Sequence, residues 1–125
     1  MNIIIAGDGK VGATLTRQLT AEGYDVTVID SKLKCLEDSV ERYDVISVQG
    51  NCASMDVLRQ AGVMDADLLI AATGADEVNL LCCTTAHAMN PNLNSIARIR
   101  NPEYTEQIFH MRDLFGLSML INPEN

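Results

Sequence analysis

The stretch Ile-Ile-Ile-Ala-Gly-Asp-Gly-Lys-Val-Gly, residues 3–12, decides how this chain folds. Its first four residues form a short apolar run of the kind found in buried strands. A G-x-G-x-x-G pattern begins at Gly7, and Val11, Leu15 and Leu19 then recur every four residues, as on one face of a helix. The stretch therefore predicts a strand, a tight turn and a helix, which together begin a βαβ unit.

Each glycine of this pattern has a predicted role. Gly7 permits the tight turn, Gly9 lets the backbone approach a pyrophosphate, and Gly12 lets the helix pack closely on the strand. The start of the helix offers unpaired N–H groups and the positive end of its dipole to phosphates. We therefore predict that a nucleotide is bound along Gly7, Asp8, Gly9, Lys10, Val11 and Gly12.

Six apolar runs along the chain have the length and composition of strands. They are Asn2–Ala6, Asp25–Ile29, Val45–Val48, Leu68–Ala72, Asn94–Ile99 and Ser118–Ile121. Because helical segments separate them, the strands are expected to be parallel and joined by right-handed crossovers. The predicted fold class is α/β, a Rossmann-type doubly wound parallel six-stranded sheet of order 3-2-1-4-5-6 with helices on both faces.

Five helices fill the gaps between these strands. The fourth is predicted over Asp76–Met89, and the fifth begins after an N-cap at Asn101, with Pro102 first, and ends at about Leu114 before Gly116. The apolar stripes are predicted at Leu33, Leu36 and Val40 in the second helix, at Val57, Leu58 and Ala61 in the third, and at Val78, Leu81, Cys82 and Thr85 in the fourth.

Composition excludes several classes of protein. The length of 125 residues is that of one domain, and neither an internal repeat nor a linker is visible. Nine Lys and Arg against seventeen Asp and Glu give a formal net charge of −8, which argues against nucleic acid as a partner. No apolar run approaches the roughly 20 residues of a membrane span, so no direct membrane insertion is predicted.

The four cysteines, Cys35, Cys52, Cys82 and Cys83, show no C-x-x-C spacing and follow no secretory leader. We therefore predict reduced, buried thiols in a cytoplasmic protein. Cys83 and His87 are four residues apart in a predicted helix, a spacing that suits a metal, but no third ligand is visible. We predict that they are packing residues and that there is no metal site.

Asp30 ends the second predicted strand, 18 residues beyond Gly12. A carboxylate there can accept hydrogen bonds from both ribose hydroxyls and would repel a 2′-phosphate, which favours NAD or an adenosine nucleotide over NADP. Lys32 and Lys34 soften that preference. The alternative is that Asp30 is the N-cap of the next helix.

Three more segments are expected at the same crevice, because ligands of such folds lie over the carboxyl ends of the strands. Gly50–Ser54, with Asn51 and Cys52, would border an adenine, or would be a turn capped by Asn51 or Ser54. Thr73 and Gly74 would contact phosphate or ribose, or would form a helix entry capped by Asp76. Arg98, more than Arg100, would bind a phosphate, or would pair with an acidic side chain.

Together these segments resemble the N-terminal nucleotide-binding subdomain of the RCK (KTN) family of potassium-transport regulators, in particular its TrkA-type subunits. The resemblance extends over essentially all 125 residues. It rests on Gly7–Gly12, Asp30, Gly50–Ser54, Asp65–Asp67, Ala71–Gly74, Glu77–Leu80, Ala97–Tyr104 and Ile121–Glu124.

The resemblance implies regulation without catalysis. NAD or NADH, or alternatively ATP or ADP, would bind in the crevice through the Gly7–Val11 loop, Asp30, Thr73, Gly74 and Arg98, and would gate a membrane potassium channel or transporter. The resemblance also implies a homo-oligomer, either a dimer or a ring. It would lie at the cytoplasmic face of the membrane, held there by its transporter partner.

Two features depart from the family pattern. Asn51-Cys52 stands where Asp-Ala is common, and the chain ends at Asn125 where the family continues into a C-terminal subdomain. We therefore expect residues 1–125 to be an isolated N-terminal domain.

The alternative function is that of the cofactor-binding domain of an NAD-dependent dehydrogenase. Hydride transfer needs a substrate pocket and an acid or base beside the nicotinamide. His87 and His110 lie within predicted helices away from the strand ends, and no Tyr-x-x-x-Lys occurs. We therefore predict that the chain is not an enzyme.

Overall fold

The molecule is built on a six-stranded parallel sheet, and the structure, a computed structural model, describes residues 1–121. The strand order is β3-β2-β1-β4-β5-β6, as predicted. Each strand lies within one residue of its predicted bounds. The strands are β1 (Asn2–Ala6), β2 (Asp25–Asp30), β3 (Ile46–Gln49), β4 (Leu68–Ala71), β5 (Asn94–Arg98) and β6 (Met119–Ile121).

Five α-helices connect these strands. They are α1 (Lys10–Ala21), α2 (Leu33–Arg42), α3 (Met55–Gln60), α4 (Asp76–Met89) and α5 (Pro102–Phe115), and a short 3-10 turn covers Val63–Asp65. Within residues 1–121, none of these helices is both long enough and apolar enough to cross a bilayer.

The central strands send alternate side chains into two apolar clusters, one on each face of the sheet. Ile3 and Ile5 of β1 pack with Leu36 of α2 and with the apolar side of α1. Ile4 and Ala6 of the same strand pack on the other face with side chains of α3, α4 and α5. Because the sheet is covered on both faces at its centre, the central strands β1 and β4 read as continuous apolar runs.

Two of the predicted apolar stripes are wrong. In α2, Leu33 and Val40 are 51% and 48% exposed, while Leu36 and the polar Ser39 are buried. In α4, Leu81 is 56% exposed. The buried residues of α4 are Asp76, Asn79, Cys82, Cys83 and Ala86. Both helices therefore place polar side chains in the row that faces the core, which hydrophobic periodicity does not detect.

Helix α5 begins and ends as predicted. The Asn101 side chain accepts a hydrogen bond from the Glu103 N–H at 2.9 Å, and Pro102 is the first helical residue. Gly116 ends the helix in the left-handed region, with a φ of 69°, where a side chain would collide with His87. The Asn122–Glu124 part of the family resemblance lies outside the described residues.

Candidate nucleotide-binding site

A cavity of about 690 Å³ opens at the carboxyl ends of the strands, where β1 lies between β2 and β4. The chain turns toward opposite sides of the sheet at this point, which is where ligands of open α/β sheets bind. Asp8 and Gly12 are buried and do not line the cavity. The other predicted contact residues do: Gly7, Gly9, Lys10, Val11, Asp30, Asn51, Cys52, Thr73, Gly74 and Arg98.

The three glycines of the loop have different surroundings. A Cβ on Gly12 would collide with the carbonyl oxygen of Gly7, and a Cβ on Gly7 would lie 2.9 Å from the Thr73 nitrogen. Gly7 also has a φ of +100°, which favours glycine. Nothing lies within 4 Å of the Cβ position on Gly9. Gly7 and Gly12 therefore allow the loop to pack, whereas Gly9 leaves its backbone accessible to a ligand.

The N-terminus of α1 forms part of the cavity wall. Its first intrahelical hydrogen bond runs from the Ala13 N–H to the Gly9 carbonyl at 2.8 Å. The N–H groups of the three residues between them precede that bond, so an anion at this end would satisfy them and interact favourably with the helix dipole. Lys10 and Val11 of this first turn line the cavity.

The charge around the cavity is opposite in sign to the charge of the molecule. The chain carries a formal net charge of −8, yet the cavity lining holds Lys10, Lys32 and Arg98 against the single carboxylate of Asp30. A concave site with an excess of positive charge attracts anions. The site therefore suits a ligand that carries phosphate groups.

Asp30 lines the cavity with a carboxylate that also holds the glycine-rich loop. It accepts a hydrogen bond from the Asp8 N–H at 2.7 Å and another from the Lys32 N–H at 2.7 Å, one on each oxygen. The N-cap of α2 is Lys32 and not Asp30. Each carboxylate oxygen keeps a further lone pair, so ribose hydroxyls can still donate to it. The ribose contact itself stays a prediction.

Asp8 turns its side chain away from the cavity and into the protein. It accepts a hydrogen bond from the Ser39 hydroxyl at 2.6 Å, and its Oδ1 is buried without a partner among the described residues. Burial raises the pKa of Asp8, the hydrogen bond from Ser39 lowers it, and the nearby charges of Asp30 and Asp38 raise it. Position in the motif predicted a ligand contact here, but the side chain faces α2.

The turn after β3 reaches the cavity with Gly50, Asn51 and Cys52. Asn51 also holds this turn, because its side chain accepts a hydrogen bond from the Ala53 N–H at 3.0 Å. Cys52 is 6% exposed, and a hydrogen bond with the Cys82 thiol lowers the pKa of Cys52. Both interpretations of this segment are therefore compatible with its position, and the adenine contact stays a prediction.

Thr73 is held by Asn79, a residue that the sequence analysis did not place in the site. The Thr73 N–H and hydroxyl donate to Asn79 Oδ1 at 2.9 and 2.6 Å. Asn79 Nδ2 donates in turn to the carbonyls of Thr73 and Arg98 at 3.2 and 2.7 Å. Because the hydroxyl proton is engaged, Thr73 can accept a hydrogen bond from ribose, but donation to a phosphate would require breaking the 2.6 Å bond.

Arg98 reaches the cavity from the end of β5, whereas Arg100 is exposed and does not line it. Arg98 Nη1 lies 3.3 Å from the Thr73 carbonyl, and its Nε is buried without a partner among the described residues. No ion pair is recorded for Arg98 within residues 1–121. Its guanidinium therefore keeps donors for a ligand.

One alternative was that Asp76 caps helix α4, and the structure shows that it does not. The N-cap of α4 is Ala75, and Asp76 is buried. Its two carboxylate oxygens accept hydrogen bonds from the N–H groups of Arg100 and Asn101 at 3.0 and 2.8 Å. Asp76 therefore fixes the turn after β5.

Cys83 and His87 are placed as packing residues. Burial raises the pKa of Cys83 to about 12, so its thiol stays protonated, 3.8 Å from the Ile96 carbonyl. The His87 ring packs beside Gly116. No group of three or more His, Cys, Asp or Glu side chains that could hold a metal occurs in the described part of the chain.

Several cavity residues were not among the predicted contacts. Most are neighbours of predicted residues at the same strand ends. Two of them lie further along the chain, in α2 and α4, and were not predicted because they are several residues away from the motifs. These cavity residues are Ile29, Ser31, Lys32, Cys35, Ala72, Ala75 and Val78.

Comparison with protein families and curated proteins gives consistent matches. The family model described as TrkA-N domain matches residues 3–123 of this chain. The Trk system potassium uptake protein TrkA of Haemophilus influenzae is 40% identical over 128 residues, covering 100% of this chain and 28% of that protein. The chain therefore spans less than a third of the length of this relative.

Three solved structures share the fold. The TrkA-N domain of inner membrane protein ybaL from Escherichia coli has a TM-score of 0.87 at 24% identity, covering 98% of this chain and 87% of that one. The AMP-bound form of the Kef CTD from Shewanella denitrificans has a TM-score of 0.77 at 27% identity, covering 95% and 71%. The GsuK channel bound to NAD has a TM-score of 0.80 at 22% identity, covering 96% and 21%.

Proposed function

This chain belongs to the TrkA-N domain family, and we propose from this premise that it is a nucleotide-binding regulatory domain of a membrane potassium uptake system. In this proposal its ligand is NAD or NADH, with ATP or ADP as the alternative. The relative from Haemophilus influenzae, a Trk system potassium uptake protein, supports the transport role. The AMP-bound Kef domain and the NAD-bound GsuK channel, which share the fold, support an adenosine nucleotide as the ligand.

The observation that carries the proposal is the cavity at the carboxyl ends of β1, β2 and β4. Its lining has an excess of positively charged side chains, although the molecule as a whole is acidic. A pyrophosphate would lie against the open backbone of Gly9 and the first turn of α1, with Lys10 and Arg98 as charged partners. The ribose would lie at Asp30, and the adenine would lie beside Asn51.

Regulation requires that the nucleotide bind two states of the assembly with different affinity, because a nucleotide that binds both states equally would not change their relative populations. In this proposal the domain, residues 1–125, is followed in the whole protein by a C-terminal RCK subdomain. The protein acts as a homo-oligomer, a dimer or a ring, at the cytoplasmic face of the membrane. A potassium channel or transporter subunit is the partner that its shape change gates.

The direct test is a calorimetric titration of the chain with NAD, NADH, ATP, ADP and NADP. We expect binding of NAD(H) or of ATP and ADP, and much weaker binding of NADP, because the Asp30 carboxylate repels a 2′-phosphate. If none of these nucleotides binds, the proposed function is wrong for this chain.

The ribose contact is tested separately with Asp30→Ala. Loss of hydrogen bonds to a carboxylate is expected to weaken NAD binding by about 1–3 kcal/mol and to narrow the preference for NAD over NADP. Since Asp30 also holds the loop, the ratio of the two affinities is the decisive readout. An equal loss for NAD and NADP would leave Asp30 only its loop-holding role. Glu41→Gln, which removes one exposed charge from α2, is the matched control and is expected to bind both like the unaltered chain.

We propose further that the domain has no catalytic role. Neither His87 nor His110 lines the cavity, and both lie in helices. Incubation with NAD and a panel of alcohols and hydroxy acids is expected to form no NADH. Sustained NADH formation would favour the dehydrogenase alternative.

A further inference from the structure

The buried carboxyl group of Asp8 takes no part in the proposed nucleotide contacts, although it belongs to the glycine-rich loop. Gly7 and Gly9 on either side of it line the cavity, whereas the Asp8 residue is only 4% exposed. One oxygen accepts the hydrogen bond from Ser39, and Oδ1 has no partner among the described residues. A buried carboxylate with a hydrogen bond on only one of its oxygens lowers the stability of the folded state, so its presence needs a physical explanation.

Asp8 joins three parts of the site. Its side chain binds Ser39 of α2, which lies one helical turn beyond the cavity residue Cys35. Its backbone N–H donates to the carboxylate of Asp30 at the end of β2. The position of the loop relative to α2 and β2 therefore depends on Asp8.

We propose that Asp8 is a positioning residue that couples nucleotide binding at the glycine-rich loop to the uptake of one proton. The inference rests on the proposed function, because it needs a phosphate group at the start of α1. Such a phosphate adds negative charge on the cavity side of the loop, and the charges of Asp30 and Asp38 already disfavour the ionised form of Asp8. A proton taken from the solvent by an Asp8 oxygen forms an O–H bond and removes this repulsion.

The sign of the pH dependence follows from these charges. Burial has already raised the pKa of Asp8 above its usual value of 3.8, and a bound phosphate raises the pKa further. Affinity is therefore highest below the pKa of the free protein, falls as the pH rises toward the pKa of the complex, and is constant above it. An increase of about one in this pKa on binding corresponds to about tenfold in affinity.

The test titrates the unaltered chain with NAD at several values between about pH 5 and about pH 8, in pairs of buffers with different ionisation enthalpies. NAD is the probe because its pyrophosphate does not titrate in this range, unlike the terminal phosphate of ADP or ATP. We expect proton uptake of up to one per site and an affinity that rises as the pH falls. Binding without proton uptake at any pH overturns the inference but leaves the proposed function intact, whereas absence of binding overturns both.

Two variants assign the proton to Asp8. Asp8→Asn, whose amide oxygen still accepts from Ser39, is expected to abolish the proton uptake and the pH dependence. Ser39→Ala removes the hydrogen bond that lowers the pKa of Asp8, so the fall in affinity is expected at a higher pH. Glu41→Gln is expected to keep the pH profile of the unaltered chain. A purely structural role for Asp8 would lower the affinity equally at every pH, which would contradict the coupling.

Discussion

At the scale of single residues, the absence of a side chain has different consequences at different positions of the glycine-rich loop. Gly9 and Gly12 belong to the same motif, yet a Cβ on Gly9 meets open space and a Cβ on Gly12 meets the backbone of Gly7. Gly12 is therefore required for packing, whereas packing does not require a glycine at position 9, where we propose that the ligand approaches. This difference allows binding and folding to be separated by substitution.

Gly9→Ala is expected to fold and to lose no more than about 1 kcal/mol of unfolding free energy, the cost of a poorer N-cap residue. Its new methyl group occupies the space through which a phosphate would approach, so NAD affinity is expected to fall by about tenfold or more. Gly12→Ala is expected to lose at least about 3 kcal/mol of stability, because the backbone must move. Urea unfolding measures the stability of the two variants, and titration with NAD measures their affinity. Normal NAD binding by Gly9→Ala would contradict the placement of a phosphate at Gly9.

At the scale of elements, helix α4 determines how the ends of β4 and β5 meet at the cavity. Asn79 binds the backbone of Thr73 after β4 and the Arg98 carbonyl at the end of β5. One turn earlier, Asp76 binds the backbone after β5. An exposed hydrogen bond from the Tyr104 hydroxyl to Glu77 joins α4 to α5 at 2.7 Å. The polar residues of α4 therefore hold the backbone at the ends of β4 and β5 in place beside the cavity.

Asn79→Ala is expected to lower the unfolding free energy by at least about 2 kcal/mol. The substitution leaves the Thr73 N–H and the Arg98 carbonyl without the partner that Asn79 provides in a half-buried place, at about 1–3 kcal/mol each, whereas the Thr73 carbonyl keeps its contact with Arg98 Nη1 at 3.3 Å. Asn92→Ala, at an exposed asparagine, is the control and is expected to change the stability by no more than about 0.5 kcal/mol. A loss below about 1 kcal/mol in Asn79→Ala would show that other groups or water replace these bonds.

At the scale of the whole molecule, the two apolar clusters share one sheet, and the cavity lies where its crossovers diverge. Segments at the ends of β1, β2, β3, β4 and β5 all contribute to the cavity lining, so the site exists only when these five strands are assembled. A ligand that binds at the cavity is therefore expected to stabilise the folded molecule as one unit.

Saturating NAD is expected to raise the melting temperature in a single cooperative transition. At a ligand concentration of about 100 times Kd the added free energy is about 2.7 kcal/mol, which corresponds to roughly 10 °C for a domain of this size. Differential scanning calorimetry measures the shift. Gly9→Ala, the control, binds NAD about tenfold more weakly in this assignment, so at the same NAD concentration its shift is expected to be at most about half as large. An equal shift in both proteins would place NAD elsewhere.

Local pattern was sufficient to predict the strands and their order. The bounds of β1 and β4 follow from short apolar runs, because a parallel strand covered on both faces must be apolar along its whole length. The positions of Asn101 and Gly116 at the ends of α5 were also predictable, since capping depends on neighbouring residues. Helix faces were less predictable, as Leu81 and Asn79 show, because burial of α4 depends on what packs against it.

The class of fold, the place of the glycine-rich loop and most of the residues around the cavity were predictable from the sequence, because motif, strand end and helix start are adjacent in the chain. Only the tertiary structure decided which way the side chains of those residues point. Asp8 stands between two cavity glycines but faces Ser39, 31 residues away, and Thr73 is held by Asn79, a helix residue that the sequence did not place at the site. The physical reason is that a buried polar group must find its hydrogen-bond partner in space, and sequence periodicity carries no record of that partner.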